Sequence, residues 1–72
     1  MFNNAPPVTN TIRKCRFDNG EMTQEQLAAK VGVTRQTIIA LEAGKYLPSL
    51  QLAVRIARVF HSTVEEIFII GD

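Results

Sequence analysis

The sequence predicts an all-α fold in which five short helices form one small domain. Apolar residues recur at helical spacing, most clearly in Leu52, Ile56 and Phe60, which are four positions apart. Capping-box pairs precede two of the predicted helices, and glycines mark the ends of others. No stretch alternates between polar and apolar residues for long enough to indicate a strand, and the final run IFII is the one candidate.

Length and composition limit what the protein can be. The chain has 72 residues, 46% of them hydrophobic, which fits one folded domain rather than a disordered chain. The net charge of +1 does not by itself indicate a nucleic-acid partner, so that argument depends on where the charges lie. The single cysteine, Cys15, excludes an intrachain disulfide, and no metal-ligand cluster surrounds it. We therefore predict no metal or other cofactor.

Capping residues and glycines mark where the predicted helices begin and end. Residues 1–9 include two adjacent prolines and predict a flexible N-terminal arm. The first helix begins at the cap Asn10 and stops at Gly20. The second follows a capping box formed by Thr23 and Gln26, in which each residue satisfies a backbone N–H near the helix start.

The second half of the chain continues the helical pattern. A third helix spans 34–43, a fourth begins at Ser49, and a fifth follows the capping box of Thr63 and Glu66. The last residues, 69–72, form a short apolar tail that is a candidate dimer contact. No secretory signal and no run long enough to cross a membrane is present, so the sequence predicts a cytoplasmic protein without a membrane partner.

The second and third helices have the spacing of a helix-turn-helix. They are joined by about three residues and must cross steeply. Ala28 is small enough for a close crossing, and Gly32 accepts the positive φ that the turn requires. Val33 would fill the angle between the helices, while Ile38 and Leu41 would face back onto the second helix. These positions together favour a helix-turn-helix, whose second helix lies in the DNA major groove, over an ordinary helical hairpin.

The stretch MTQEQLAAKVGVTRQTIIALEAGKYLPSLQLAVRIARVF resembles the phage-repressor-type (XRE, Cro/repressor) helix-turn-helix regulators, in particular their small stand-alone members. The likeness covers residues 10–68 and includes the motifs RQTI, PSL and TVEEIF. It implies a compact five-helix repressor-like domain and a sequence-specific transcriptional regulator. Three departures stand out: Cys15 replaces the usual leucine, the turn GEMTQ is one residue longer than in many members, and IIGD is too short to be an effector or toxin-binding domain.

The outer face of helix 34–43 is the candidate for base contacts. Gln36 can pair with adenine N6 and N7, and Arg35 can donate either to guanine O6 and N7 or to a phosphate. Ile39 and Ala40 offer no hydrogen bonds there, but they can meet thymine methyl groups. The alternative is that Arg35 and Gln36 are solvated residues of a first helical turn. Within a helix-turn-helix we favour base contact by Gln36.

Other polar residues are predicted to hold the DNA backbone. Gln24 begins the second helix, whose free N–H groups suit a phosphate. The resemblance implies that its side chain contacts the backbone and braces Gln36. For Lys45 the alternative is a cation that stabilises a helix C-terminus, and for Tyr46 it is packing beside Pro48. The predicted phosphate contacts are Gln24, Thr34, Thr37, Lys45 and Tyr46.

Two further features concern assembly. Arg16 lies on the apolar stripe of the first helix and Glu42 lies beside the buried face of the third, and the resemblance implies a structural salt bridge between them; the alternative is two independent exposed charges. Ile67 and the three residues after it cannot all turn inward from one helix, so some must meet the Phe2–Val8 arm or a second chain. We predict a homodimer whose interface contains Phe68, Ile69 and Ile70.

Two classes of function follow from these residues. The lone His61 lies in a predicted turn and no phosphate loop or carboxylate pair accompanies it, so we predict no enzyme, and no small-molecule ligand is evident. We favour a transcriptional regulator that acts as a repressor and binds double-stranded DNA at the nucleoid. The sequence leaves open whether it is autoregulatory, a restriction-system controller or an antitoxin. The alternative is a protein-interaction module or antitoxin-like partner protein that keeps the fold.

Overall fold

The structure is a computed structural model that describes residues 8–71. Five helices and two short strands lie in that range, and the helices agree with the five that the sequence predicts. In chain order the elements are β1 (Val8–Asn10), α1 (Ile12–Asp18), α2 (Gln24–Val31), α3 (Arg35–Glu42), α4 (Leu50–Val59), α5 (Val64–Ile67) and β2 (Phe68–Ile70).

A two-stranded sheet corrects the all-α prediction. Strand β1 pairs antiparallel with β2, with Val8 opposite Ile70 and Asn10 opposite Phe68. Val8, which the sequence analysis placed in the flexible arm, therefore belongs to the sheet together with Thr9. Each strand has only three residues, too few for a visible alternation. Residues 1–7, the rest of that arm, lie outside the described residues.

The helix starts follow the predicted caps, with one exception. Thr23 and Thr63 each form a complete capping box, with Gln26 and Glu66 respectively, and both predictions are confirmed. The exception is α1, whose N-cap is Thr11 rather than Asn10. Asn10 still contacts the helix start, because its Oδ1 accepts from the N–H of Ile12 at 3.3 Å.

The turn between α2 and α3 depends on one glycine. Gly32 has a φ of +78°, and its N–H donates to the oxygen of Ala28. Any other residue would be strained in this left-handed conformation, so the expected role of Gly32 is confirmed. Ala28 is itself buried, where a larger side chain would separate the helices.

One apolar core joins all five helices. Each fully buried aliphatic side chain stabilises the fold by about 1.5–3 kcal/mol relative to its exposed state. Ile38 and Leu41 of α3 are buried there, as predicted. In the described part of the chain, no buried side-chain nitrogen or oxygen lacks a hydrogen-bond partner, and no helix is long and apolar enough to cross a membrane. The buried residues are Ile12, Leu27, Ala28, Val31, Ile38, Leu41, Leu52, Ala53, Ile56, Ala57, Phe60 and Ile67.

The capping box of α5 makes stability depend on pH. Glu66 Oε1 accepts from the hydroxyl of Thr63 at 3.0 Å and from its N–H at 3.1 Å, and the hydroxyl of Ser62 adds a third bond. These donors favour the carboxylate and hold the pKa of Glu66 below its ordinary value of 4.5. The stabilisation is therefore complete above that ordinary pKa and is lost as the pH falls through the lower, folded-state pKa.

We expect the unfolding temperature of the wild type to fall more steeply on acidification below pH 4.5 than that of Glu66→Gln, which has no charge to lose. Thermal unfolding followed by circular dichroism across this range measures the difference. Glu65→Gln is the matched control, because Glu65 takes no part in the capping box and its variant should follow the wild type. Parallel curves for wild type and Glu66→Gln would contradict the prediction.

Candidate nucleic-acid interface

Helix α3 presents its predicted base-contacting residues on the surface. Thr34 caps the helix by accepting from the N–H of Thr37 at 3.3 Å, and Arg35 and Gln36 follow in the exposed first turn. Ile39 is 39% exposed, which makes it available to a ligand although it is aliphatic. The helix therefore buries one side in the core and leaves a short polar end with an aliphatic flank outside.

A shallow hollow lies beside this helix. Its volume is about 310 Å³, and it is lined by Gln36, Thr37, Ala40 and Tyr46. Tyr46 therefore lies next to α3, and the residue is 45% exposed. Two predicted base contacts and two predicted phosphate contacts share one surface. A methyl group entering this hollow would meet Ala40 and the tyrosine ring.

The end of α3 is tightly turned. The N–H of Gly44 donates to the oxygen of Leu41 at 3.0 Å, and the N–H of Lys45 donates to the oxygen of Ala40 at 3.0 Å. Lys45 therefore emerges directly at the helix C-terminus with an exposed side chain. No carboxylate pairs with Lys45 or Arg35 within residues 8–71, so both cations face solvent on either end of α3.

The hydroxyls at the start of α3 already have partners. The two Oγ1 atoms of Thr34 and Thr37 lie 3.1 Å apart, and Thr34 also caps the helix. A phosphate contact by either threonine would thus add to, or replace, a bond within the protein. This distinguishes the two threonines from Lys45, whose ammonium group has no partner among residues 8–71.

Arg16 and Glu42 form a bidentate ion pair between α1 and α3. Arg16 Nε lies 2.7 Å from Glu42 Oε2, and Nη2 lies 3.0 Å from Oε1. The remaining guanidinium nitrogen donates to the oxygen of Met22 at 2.8 Å. The two side chains are only 15% and 11% exposed, so they are not the independent surface charges of the alternative interpretation.

Gln24 joins this pair. Its Nε2 donates to Glu42 Oε1 at 3.3 Å. A contact between Gln24 and Gln36 stays a prediction, because a bond to the carboxylate of Glu42 does not exclude one to Gln36. Gln24 remains half-buried at the first turn of α2, on the rim of a hollow of about 600 Å³.

The same hollow is also lined by a residue that was not predicted from the sequence. Arg13 lines it together with Arg35, although the two are far apart in sequence. Two guanidinium groups thus flank the N-terminal end of α2, where free N–H groups also favour an anion. Carboxylates are present as well, because Glu21 and Glu25 line the same space. The position of Arg13, one helical turn before Arg16, is the only sequence signal that could have identified it.

The predicted dimer residues divide between core and surface. Phe68 is half-buried and packs against the core, whereas Ile69 is 47% exposed and Ile70 is 65% exposed. Both isoleucines belong to β2. Among the described residues, no group of histidine, cysteine, aspartate or glutamate could hold a metal ion.

Known proteins are similar to this chain in sequence and in fold. Residues 12–67 match the family model described as helix-turn-helix. A chain of Archaeoglobus fulgidus named as an HTH-type transcriptional regulator is 59% identical over 61 residues, which cover 85% of this chain and 86% of the relative. The HTH-type transcriptional regulator YgzD of Bacillus subtilis is 44% identical over 85% of this chain and 91% of its own length. The solved clp gene regulator ClgR of Corynebacterium glutamicum superposes with a TM-score of 0.69 at 25% identity, over 76% of this chain and 57% of that one.

Proposed function

The chain belongs to the XRE-type helix-turn-helix family of DNA-binding transcription regulators, and from this we propose that it represses transcription by binding a palindromic operator as a homodimer. Helix α3 lies in the major groove of double-stranded DNA and the helices of the two subunits enter successive grooves. The observation that carries this proposal is the polar, exposed first turn of α3 above a fully buried inner face.

Only a few side chains recognise the DNA sequence. Gln36 pairs with an adenine, and Arg35 donates to a guanine or to a phosphate beside it. Ile39 and Ala40 meet thymine methyl groups, and the hollow between Ala40 and Tyr46 provides an apolar surface for one of them. Apart from the hydroxyl of Thr37, the rest of the outer face offers no side-chain donor, so the operator is specified mainly by these contacts.

Phosphate contacts fix the position of α3 on the DNA duplex. Lys45 and Tyr46 lie at the C-terminal end of the helix, and Gln24 lies at the N-terminus of α2 on the other side. Thr34 and Thr37 add hydroxyl donors at the start of α3. Contacts of this kind fix the protein on the duplex without selecting a sequence, so their loss should weaken binding to all DNA equally.

The dimer forms through β2. Ile69 and Ile70 are apolar, partly exposed and consecutive in this strand, so their side chains point to opposite faces, and a two-fold contact through β2 covers at least one of them from each subunit. Two half-sites about one DNA turn apart then match the two recognition helices. A regulator of this kind works on the nucleoid, in the cytoplasm.

Selection of bound DNA from a random pool tests base recognition. The wild type should enrich a palindrome, and Gln36→Ala should lose about 1–3 kcal/mol of discrimination at one base pair of each half-site. Gln51→Ala is the matched control, because Gln51 is an exposed glutamine on α4 outside the proposed interface. If the wild type enriched no sequence even at low salt, where phosphate attraction is strongest, the protein would instead be an interaction module that keeps the fold.

A further inference from the structure

The side chain of Asn10 connects the sheet to the recognition helix. Its Nδ2 donates to the backbone oxygen of Leu41 at 2.7 Å, while its Oδ1 accepts from the N–H of Ile12. Asn10 belongs to β1, and Leu41 lies in the last turn of α3. One half-buried amide therefore contacts the start of α1 and the end of α3 from a position in the strand.

This hydrogen bond is not needed to cap α3. The oxygen of Leu41 also accepts from the N–H of Gly44 at 3.0 Å, so the helix end keeps its own partner without Asn10. The distinct effect of the Asn10 amide is to fix the position of the helix end relative to β1. The neighbouring Glu42 is held in a similar way from outside the helix, by Arg16 of α1.

Strand β2, which pairs with the strand of Asn10, carries the proposed dimer contact. Asn10 pairs with Phe68 in the strand register, and Ile69 and Ile70 are the next residues of β2. The N–H of Thr11 adds a bond to the oxygen of Ile67 at 2.9 Å. The strand ladder and the Asn10 side chain therefore link β2 to the end of α3.

We propose that Asn10 is a positioning residue that fixes the orientation of α3 relative to the dimer sheet, and so sets the separation of the DNA half-sites that the dimer accepts. This inference rests on the proposed function. In a two-fold dimer, any rotation of α3 relative to the interface occurs in both subunits and changes the distance between the two recognition helices. A fixed helix end gives one preferred separation, and a released one tolerates several.

The variant Asn10→Asp separates positioning from capping. It keeps the size of the side chain and the Oδ1 acceptor for Ile12, but it places a carboxylate oxygen against the oxygen of Leu41. Asn19→Asp is the matched control, because Asn19 Nδ2 donates to the oxygen of Cys15 at 2.8 Å without contacting α3. Loss of that bond should disturb α1 locally and leave the recognition helix in place.

The probe is the half-site that the wild type selects from a random pool, built into palindromes with centre-to-centre separations of about 9 to 12 base pairs, around one DNA turn. We expect the affinity of the wild type and of Asn19→Asp for one separation to be about tenfold higher than for the neighbouring separations. For Asn10→Asp this ratio of affinities should be less than about threefold. Binding to a single half-site should be the same for all three proteins. A purely structural defect would instead lower binding at every separation by one factor.

Two outcomes would overturn the inference separately from the function. If Asn10→Asp kept the wild-type preference for separation, Asn10 would not set the spacing. The distance distribution between spin labels on α3 and β2 needs no DNA and should broaden in Asn10→Asp but not in Asn19→Asp; an unchanged distribution would show that Asn10 does not fix the helix relative to the sheet. Failure of the wild type to select any half-site would overturn the proposed function and with it the role in spacing.

Discussion

Replacing Arg16 by alanine is expected to destabilise the domain by about 3–5 kcal/mol, because the carboxylate of Glu42 would stay largely buried without its charged partner. That carboxylate is only 11% exposed and would keep only the weak bond from Gln24. The loss is comparable with the whole free energy of unfolding of a domain this small. Urea unfolding followed by circular dichroism should therefore show a largely unfolded variant at room temperature.

A double-mutant cycle separates the pair from its surroundings. Arg16→Met combined with Glu42→Leu should be much less destabilised than the sum of the single variants, since neither charge is then left unpaired. Lys14 and Asp18 form the matched control pair, because their side chains are 77% and 52% exposed and their coupling should be far smaller. Fully additive losses for Arg16 and Glu42 would contradict the expected coupling.

Replacing Ile70 by lysine should convert the proposed dimer into a monomer and weaken binding to a palindrome by about 10²-fold or more, because the second half-site is then no longer bound in the same event. The substitution places two like charges across the two-fold axis where apolar surface was to be buried. Binding to a single half-site should change little, since Ile70 is on β2 and not on the α3 surface.

Sedimentation at micromolar concentration, with and without DNA, measures this prediction. Leu50→Lys is the matched control, because Leu50 is an exposed apolar residue of α4 outside the sheet, and its variant should sediment like the wild type. A wild type that sediments only as a monomer under both conditions would contradict the dimer. The predicted loss of affinity for a palindrome would then not follow.

The helical part of the fold could be predicted because its signals are local. Capping boxes bring together residues three positions apart, as with Thr63 and Glu66, and both lie in one short segment of sequence. Gly32 marks its turn for the same reason, since the constraint is on its own backbone. Such features need no knowledge of distant parts of the chain.

The features that were missed all depend on distant residues. Strand β2 overlaps the run IFII, which was the one candidate strand, but its pairing with β1 joins opposite ends of the described chain, and β1 is too short to show a period of its own. The partner of Gln24 could not be chosen from sequence, because several acceptors lie near the start of α2 once the chain folds. Asn10 was expected to be a cap, and only the folded structure shows the oxygen of Leu41 beside its amide.

Only part of the candidate site could be predicted from the sequence. Exposure of Arg35 and Gln36 followed from the buried positions of Ile38 and Leu41, because a helix fixes the angle between its faces. Their partners on DNA stay predictions, since base contacts depend on how the duplex is docked. The place of Arg13 beside Arg35 depends on the packing of α1 against the helix-turn-helix, which no spacing in the sequence encodes.

The pairing of β1 with β2 also bears on the order in which the protein folds. It closes a loop that contains all five helices, so it carries the largest entropic cost of any contact in the described chain. The helical contacts are mostly between neighbours in sequence and can form quickly before that closure. We therefore expect the sheet to add its stability late, mainly by slowing unfolding, so that the strand with the exposed isoleucines becomes available to a partner only after the helices have formed.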